Sequence, residues 1–197
     1  MKFSRMLSFV IMVALSLAGC SQARVPSITQ TATSSPVIVP QTEIPTSTPI
    51  PTIKPEAVYE VFDESPSPDK FTVMRVGISK DKLLDILGSE SEKAAAMSRH
   101  PYAEFYADWC PSCTALRKSL GDSHMVEAFS GTYIIRLDLD YWKEKLSGTG
   151  FTVVGIPAFY KIGINGRPTG RMITGAAWGD DIPENIAPPM KEFFNGG

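Results

Sequence analysis

Glu104-Phe105-Tyr106-Ala107-Asp108-Trp109-Cys110-Pro111-Ser112-Cys113 is the stretch on which the fold turns. Residues 102–107 read as a strand with apolar residues on both faces, the mark of a central, doubly covered position in a sheet. A helix starting at Cys110 puts that cysteine at the N-cap and Pro111 at the first helical position, where a missing N–H costs nothing. The Cys110 thiolate then faces unpaired backbone N–H groups and the positive end of the helix dipole. Both lower its pKa and mark it as the nucleophile. Cys113 lies one turn further, within reach of a mixed disulfide formed at Cys110. The spacing suits two-electron thiol–disulfide exchange. A carboxylate at Glu104 is costly inside such a strand, so its pKa should be raised or the group neutral.

Outward from this stretch, strands and helices alternate. Residues 72–76 read as a strand, 81–87 and 90–98 as two helical stretches, and the helix from Cys110 breaks near Gly121-Asp122. A strand at 133–137 and a short helix at 142–146 follow. Strands at 158–162 and 171–174 flank an Asn165-Gly166 turn signal, as in an antiparallel hairpin. A last helix covers 184–194, with Pro188-Pro189 expected to break or delay it. The pattern predicts an α/β domain, a central mixed sheet with helices on both faces.

The N-terminal third has a different character. Lys2 and Arg5 precede an apolar run from Met6 to Leu17, too short for a membrane span and suited to an export signal. Leu17-Ala18-Gly19-Cys20 resembles the lipobox of bacterial lipoproteins, which implies a lipidated Cys20 as the mature N-terminus. From Ser21 to Pro68 the chain holds nine of its 16 prolines and 14 serines and threonines, too many helix and sheet breakers for a packed core. The organisation expected is a signal peptide at 1–19, a lipidated N-terminus and linker at 20–68, and one domain at 69–197. Removal of Lys2 and Arg5 takes the formal charge from −2 to −4, which excludes a strongly basic nucleic-acid binder. An exported chain also works where a disulfide can persist.

A lone C-x-x-C is also half of a zinc site. Zinc needs four ligands, and with Cys20 lipidated only His100 and His124 remain, at spacings that fit no common zinc pattern. No metal and no cofactor is expected. A plain structural disulfide is the other reading, and a noncatalytic binding or metal-delivery module a further one. Export, the helix start and the preceding Asp108-Trp109 favour exchange over these.

The segment from Glu104 to Cys113 is similar to the active-site segment of the thioredoxin family. Gly155-Ile156-Pro157-Ala158 resembles that family's cis-proline loop, and Asn165-Gly166 with Gly175 its closing hairpin. The likeness covers most of residues 70–197. It implies a thioredoxin-like fold, a cis bond before Pro157, and a substrate groove shaped by Trp109, Ile156 and Pro157. It also implies that Glu104 is the general base for Cys113, with Arg136 nearby. The Tyr-Ala-Asp-Trp-Cys string is closest to exported domains that take electrons from a membrane carrier. Pro-Ser between the cysteines differs from the Gly-Pro of cytoplasmic thioredoxins, and the helical piece around 90–99 has no counterpart in the minimal family fold. Trp142 and Trp178 read as packing residues. The expectation is a lipid-anchored cell-envelope oxidoreductase. It would reduce protein disulfides, with a membrane electron donor and protein thiol or disulfide partners; a disulfide-forming oxidase is the alternative direction.

Overall fold

The computed structural model describes residues 59–196. The expected signal peptide, Cys20 and most of the expected linker lie outside them. Eleven strands and helices follow in chain order. They are β1 Val61–Asp63, β2 Thr72–Val76, α1 Leu83–Ala96, β3 His100–Tyr106, α2 Pro111–Ser119 and α3 Ser123–Phe129. Then come β4 Thr132–Asp138, α4 Leu139–Trp142, β5 Ala158–Ile162, β6 Pro168–Thr174 and α5 Pro183–Asn195. One mixed sheet runs β1-β2-β4-β3-β5-β6. β2, β4 and β3 are mutually parallel, whereas β1, β5 and β6 join antiparallel to their neighbours. β3 is therefore bonded on both sides.

Side chains alternate across this sheet, and each face has its own apolar layer. On one face Val73, Ile134, Tyr102 and Phe159 pack with Leu116 of α2, Met125 and Phe129 of α3, and Ile186, Met190 and Phe194 of α5. Phe129 sits at the centre, its ring 4.9 Å from that of Phe194 and 5.6 Å from that of Phe71. On the other face Ala103, Phe105, Ile135 and Leu137 pack with Leu83, Ile86 and Leu87 of α1 and with Trp142. Each fully buried side chain of this size contributes about 1.5–3 kcal/mol. Trp142 and Trp178 are both buried in these layers, in keeping with a packing role.

Three features differ from the expectation. The two helical stretches at 81–98 are one 14-residue helix, so the piece at 90–99 is largely the second half of α1 and no addition to it. Gly88 invites a break, yet it lies inside the helix against the β5–β6 turn, where a Cβ on Gly166 would come within 2.8 Å of the Gly88 backbone nitrogen. α5 runs straight through Pro188-Pro189. Those prolines withhold N–H groups from the carbonyls of Glu184 and Asn185, which are exposed and can turn to water. Burial of Ile186, Ala187, Met190, Phe193 and Phe194 holds the helix in spite of them.

The sheet also begins before residue 69. β1 pairs Val61 with Val76 and Asp63 with Met74, inside the stretch read as linker. Just before it, the Tyr59 hydroxyl donates to the buried Glu90 carboxylate at 2.5 Å, and the Tyr133 hydroxyl donates to its other oxygen at 2.6 Å. Lys93 completes the group at 2.7 Å.

Candidate active site

β3 ends at Tyr106 and the chain turns through Ala107-Asp108-Trp109 into α2. Cys110 is the N-cap, in extended backbone geometry, and Pro111 opens the helix. The Cys113 amide N–H donates to Cys110 Sγ at 3.1 Å, an orphan donor of the helix start aimed at the sulfur. Cys110 and Cys113 are joined in a disulfide, with Cα atoms 5.3 Å apart. The sulfurs are set back from the surface, the residues being 4% and 2% exposed, whereas Trp109 beside them is 67% exposed. The Trp109 indole N–H donates to Asp140 Oδ2 at 2.7 Å, which restrains the exposed ring next to Cys110 in the chain.

The loop before β5 closes the other side. The Ile156–Pro157 bond is cis. The Ile156 carbonyl oxygen lies 3.7 Å from Cys110 Sγ, where a reduced Cys110 thiol could donate to it. Pro157 is buried, and its own carbonyl accepts from the Gly175 N–H at 3.0 Å. Ile156 packs against the small cluster of Tyr106, Ala107, Cys110 and Cys113. A redox pair at the start of a helix, on the central strand of a mixed sheet and faced by a cis-proline loop, settles the architecture.

The fold is thioredoxin-like.

No family model matches the chain. It is 30% identical over 123 residues to the thiol:disulfide interchange protein DsbD of Pseudomonas sp. (strain JR1 / K1), an alignment covering 58% of this chain and 20% of that protein. The chain thus spans about a fifth of the length of that curated relative. A disulphide isomerase from Xylella fastidiosa Temecula1 aligns with TM-score 0.45 and 17% identity, over 60% of this chain and 92% of its own. Trichomonas vaginalis thioredoxin aligns with TM-score 0.35 and 24% identity, over 49% and 82%.

A row of charges crosses the sheet of this thioredoxin-like domain, linked to the cysteine cluster through Tyr106. Arg75 of β2 pairs in register with Arg136 of β4, and Arg136 with Glu104 of β3. Arg136 Nε donates to Glu104 Oε2 at 2.9 Å, and its Nη1 donates to Glu64 Oε2 at 2.6 Å. Arg75 Nε donates to Glu64 Oε1 at 2.8 Å. The Arg136 guanidinium also lies 4.1 Å from the ring centroid of Tyr106, which touches the cysteine cluster.

Glu104 is fully buried, and its Oε1 has no hydrogen-bond partner among the described residues. Burial raises its pKa above the usual carboxylate range, and the opposing charge of Arg136 only partly offsets this. Glu64 is half-buried, which by itself would raise its pKa; the bonds from Arg75 and Arg136 outweigh burial and leave it lowered.

All six domain residues named from the sequence thus fall at one end of the sheet or directly beneath it: Cys110, Cys113, Trp109, Ile156, Pro157 and Glu104. Arg136 does lie against Glu104. His100 opens β3 and His124 lies on α3, bound to Asp122. Cys20 lies outside the described residues. Sequence reasoning missed Asp140 and Glu64. Asp140 follows β4 in an Asp138-Leu139-Asp140 string whose first member caps α4. Glu64 was hidden by the proline-rich run, and residues 58–63, Val-Tyr-Glu-Val-Phe-Asp, lack the strict apolar/polar alternation that marks an edge strand.

Proposed function

We propose that this chain is a membrane-anchored, extracytoplasmic thiol–disulfide oxidoreductase that reduces protein disulfides through Cys110 and Cys113. The observation that carries the proposal is the Cys110–Cys113 disulfide at the start of α2, facing the cis Ile156–Pro157 loop. A sulfur at a helix N-terminus, receiving an N–H bond, is stabilised as the thiolate.

In the reaction, the Cys110 thiolate attacks one sulfur of a substrate disulfide. A Cys110–substrate disulfide forms, and the other substrate sulfur leaves as a thiolate and takes up a proton. Cys113 gives its proton to Glu104, and the freed sulfur attacks Cys110 Sγ. The Cys110–Cys113 disulfide closes, and the second substrate sulfur departs and is protonated. Substrate has gained two electrons and two protons. A dithiol donor on the membrane returns the pair to the reduced state. Trp109, Ile156 and Pro157 form the groove into which the substrate backbone fits as an extended strand.

The likeness to an interchange protein supports exchange chemistry, and the string resembling a lipobox at Cys20 supports the anchor and envelope location. Among the described residues no helix is long and apolar enough to cross a membrane. The test is the reduction potential of the full chain, together with its rate of reduction of a disulfide-bonded protein. A reducing potential with turnover is expected; a potential at the oxidising end of the range would assign the chain to disulfide formation instead.

A further inference from the structure

Glu64 belongs to no part of the reaction described above, yet it reaches the buried Arg136 that bonds Glu104. It follows the edge strand β1, and the Ser65 hydroxyl beside it receives the Val73 N–H at 2.9 Å, which pins the segment to β2. From there Glu64 spans two arginines, Arg75 through Oε1 and Arg136 through Oε2. Arg136 is 1% exposed and divides its donors between Glu64 and Glu104. Without Glu64, no other carboxylate among the described residues pairs with the guanidinium to keep it from turning both donors onto Glu104, the bidentate pairing that arginine and carboxylate favour.

We infer that Glu64 is a positioning residue for the proton transfer at Cys113: by holding Nη1 of Arg136, it limits the guanidinium to one oxygen of Glu104 and leaves Oε1 open to receive the proton. The inference rests on the reading of Glu104 as the proton acceptor. In the resolving step the proton passes from Cys113 Sγ to Glu104 Oε1, directly or over a water. The sulfur electron pair forms the bond to Cys110 Sγ, and the bond from Cys110 to the substrate sulfur breaks. A carboxylate gripped at both oxygens by Arg136 would be a poorer base and would stay ionised to lower pH.

The charged and titratable groups facing Glu104 are few. Arg136 comes from β4, Glu64 from the segment after β1, and Arg117 from α2, which also carries Cys113. Tyr106 is two residues along β3, and Arg75 of β2 stands behind Glu64. β5 contributes Phe159, and the buried face of α5 is wholly apolar.

The experiment compares the full-length chain with Glu64→Gln, Arg75→Gln and Glu104→Gln. Two quantities are read: the carboxyl NMR titration of Glu104 in the reduced protein, and the pH profile of the resolving step, by acid quench of a preformed mixed disulfide. In Glu64→Gln the Glu104 titration and the acid limb of the profile should both move down by about one pH unit. Arg75→Gln frees Glu64 to turn wholly onto Arg136 and should move both upward. It alters a partly exposed pair, so it keeps the test open if Glu64→Gln does not fold. Glu104→Gln should remove the limb. If it does so while Glu64→Gln and Arg75→Gln leave the limb and the titration unmoved, Glu64 is only a structural partner and the inference falls. If the limb survives Glu104→Gln, the acceptor reading itself falls, and the inference with it.

Discussion

At position 110 the chain places a sulfur where a helix needs an acceptor, and one substitution there or at 113 separates the two halves of the reaction. Cys110→Ser leaves no nucleophile, so exchange should drop to the uncatalysed rate with no adduct formed. Cys113→Ser leaves the first attack intact and should accumulate mixed disulfides with substrate, visible as thiol-sensitive bands on a non-reducing gel. Glu104 gives a prediction for the protein by itself. Its folded-state pKa is raised by burial against a partial offset from Arg136, so above the unfolded pKa folding must take up a proton that the unfolded carboxyl has lost. Stability is unaffected below the unfolded pKa and falls as pH rises from there through the raised value. Urea unfolding at a series of pH values should therefore show the parent losing ground to Glu104→Gln as pH rises. Glu64 has the opposite sign: its pKa is lowered, so its contribution is present above the unfolded value and vanishes as pH falls through the folded one. The pair Cys110 and Cys113 was legible in the sequence because spacing, proline and strand all point the same way. The bond between Glu104 and Arg136 was legible only through family likeness, since 32 positions separate residues that pairing of β3 with β4 brings side by side.

Elements were easiest to read where local signals were undivided. β2 and β5 occupy the ranges expected, and the helix after Cys110 does break at Gly121-Asp122, where Asp122 caps α3. Conflicts arose where tertiary contact overrides a local breaker, as at Gly88 and at Pro188-Pro189. The β5–β6 hairpin shows the reason. Its Gly166 has φ +74, and a Cβ there would lie 2.7 Å from the Leu84 carbonyl oxygen and 2.7 Å from Leu87 Cβ. The turn is docked on α1, and Gly88 opposite completes the fit. Gly166→Ala meets both an unfavourable left-handed backbone and backbone atoms that cannot move aside. It should lower stability by on the order of 3 kcal/mol, whereas Gly121→Ala, with open space around its Cβ, should change little. Thermal unfolding of the two variants checks the contrast.

For the molecule as a whole, the expected boundary at residue 69 leaves out material that the sheet uses. A chain beginning at 69 loses β1, the Tyr59 bond to Glu90 and the Glu64 bond to Arg136. It also bares the edge of β2. Removing groups that satisfy two buried charged side chains should cost on the order of 3 kcal/mol relative to a chain beginning at 59, measurable as a lower urea midpoint. Proline content hid this boundary, because composition over tens of residues dilutes a three-residue strand. The central place of β3 has a further consequence, on the scale of time. With β4 on one side and β5 on the other, the amides of residues 102–105 lie in the middle of the sheet and should exchange with deuterium only when the entire domain opens. The strand that delivers the cysteines thus belongs to the slowest-opening unit of the protein. Deuterium uptake along β3 should consequently differ between the oxidised and reduced states only by as much as the Cys110–Cys113 bond changes global stability, so that the slowest amides report the redox state of the sulfurs.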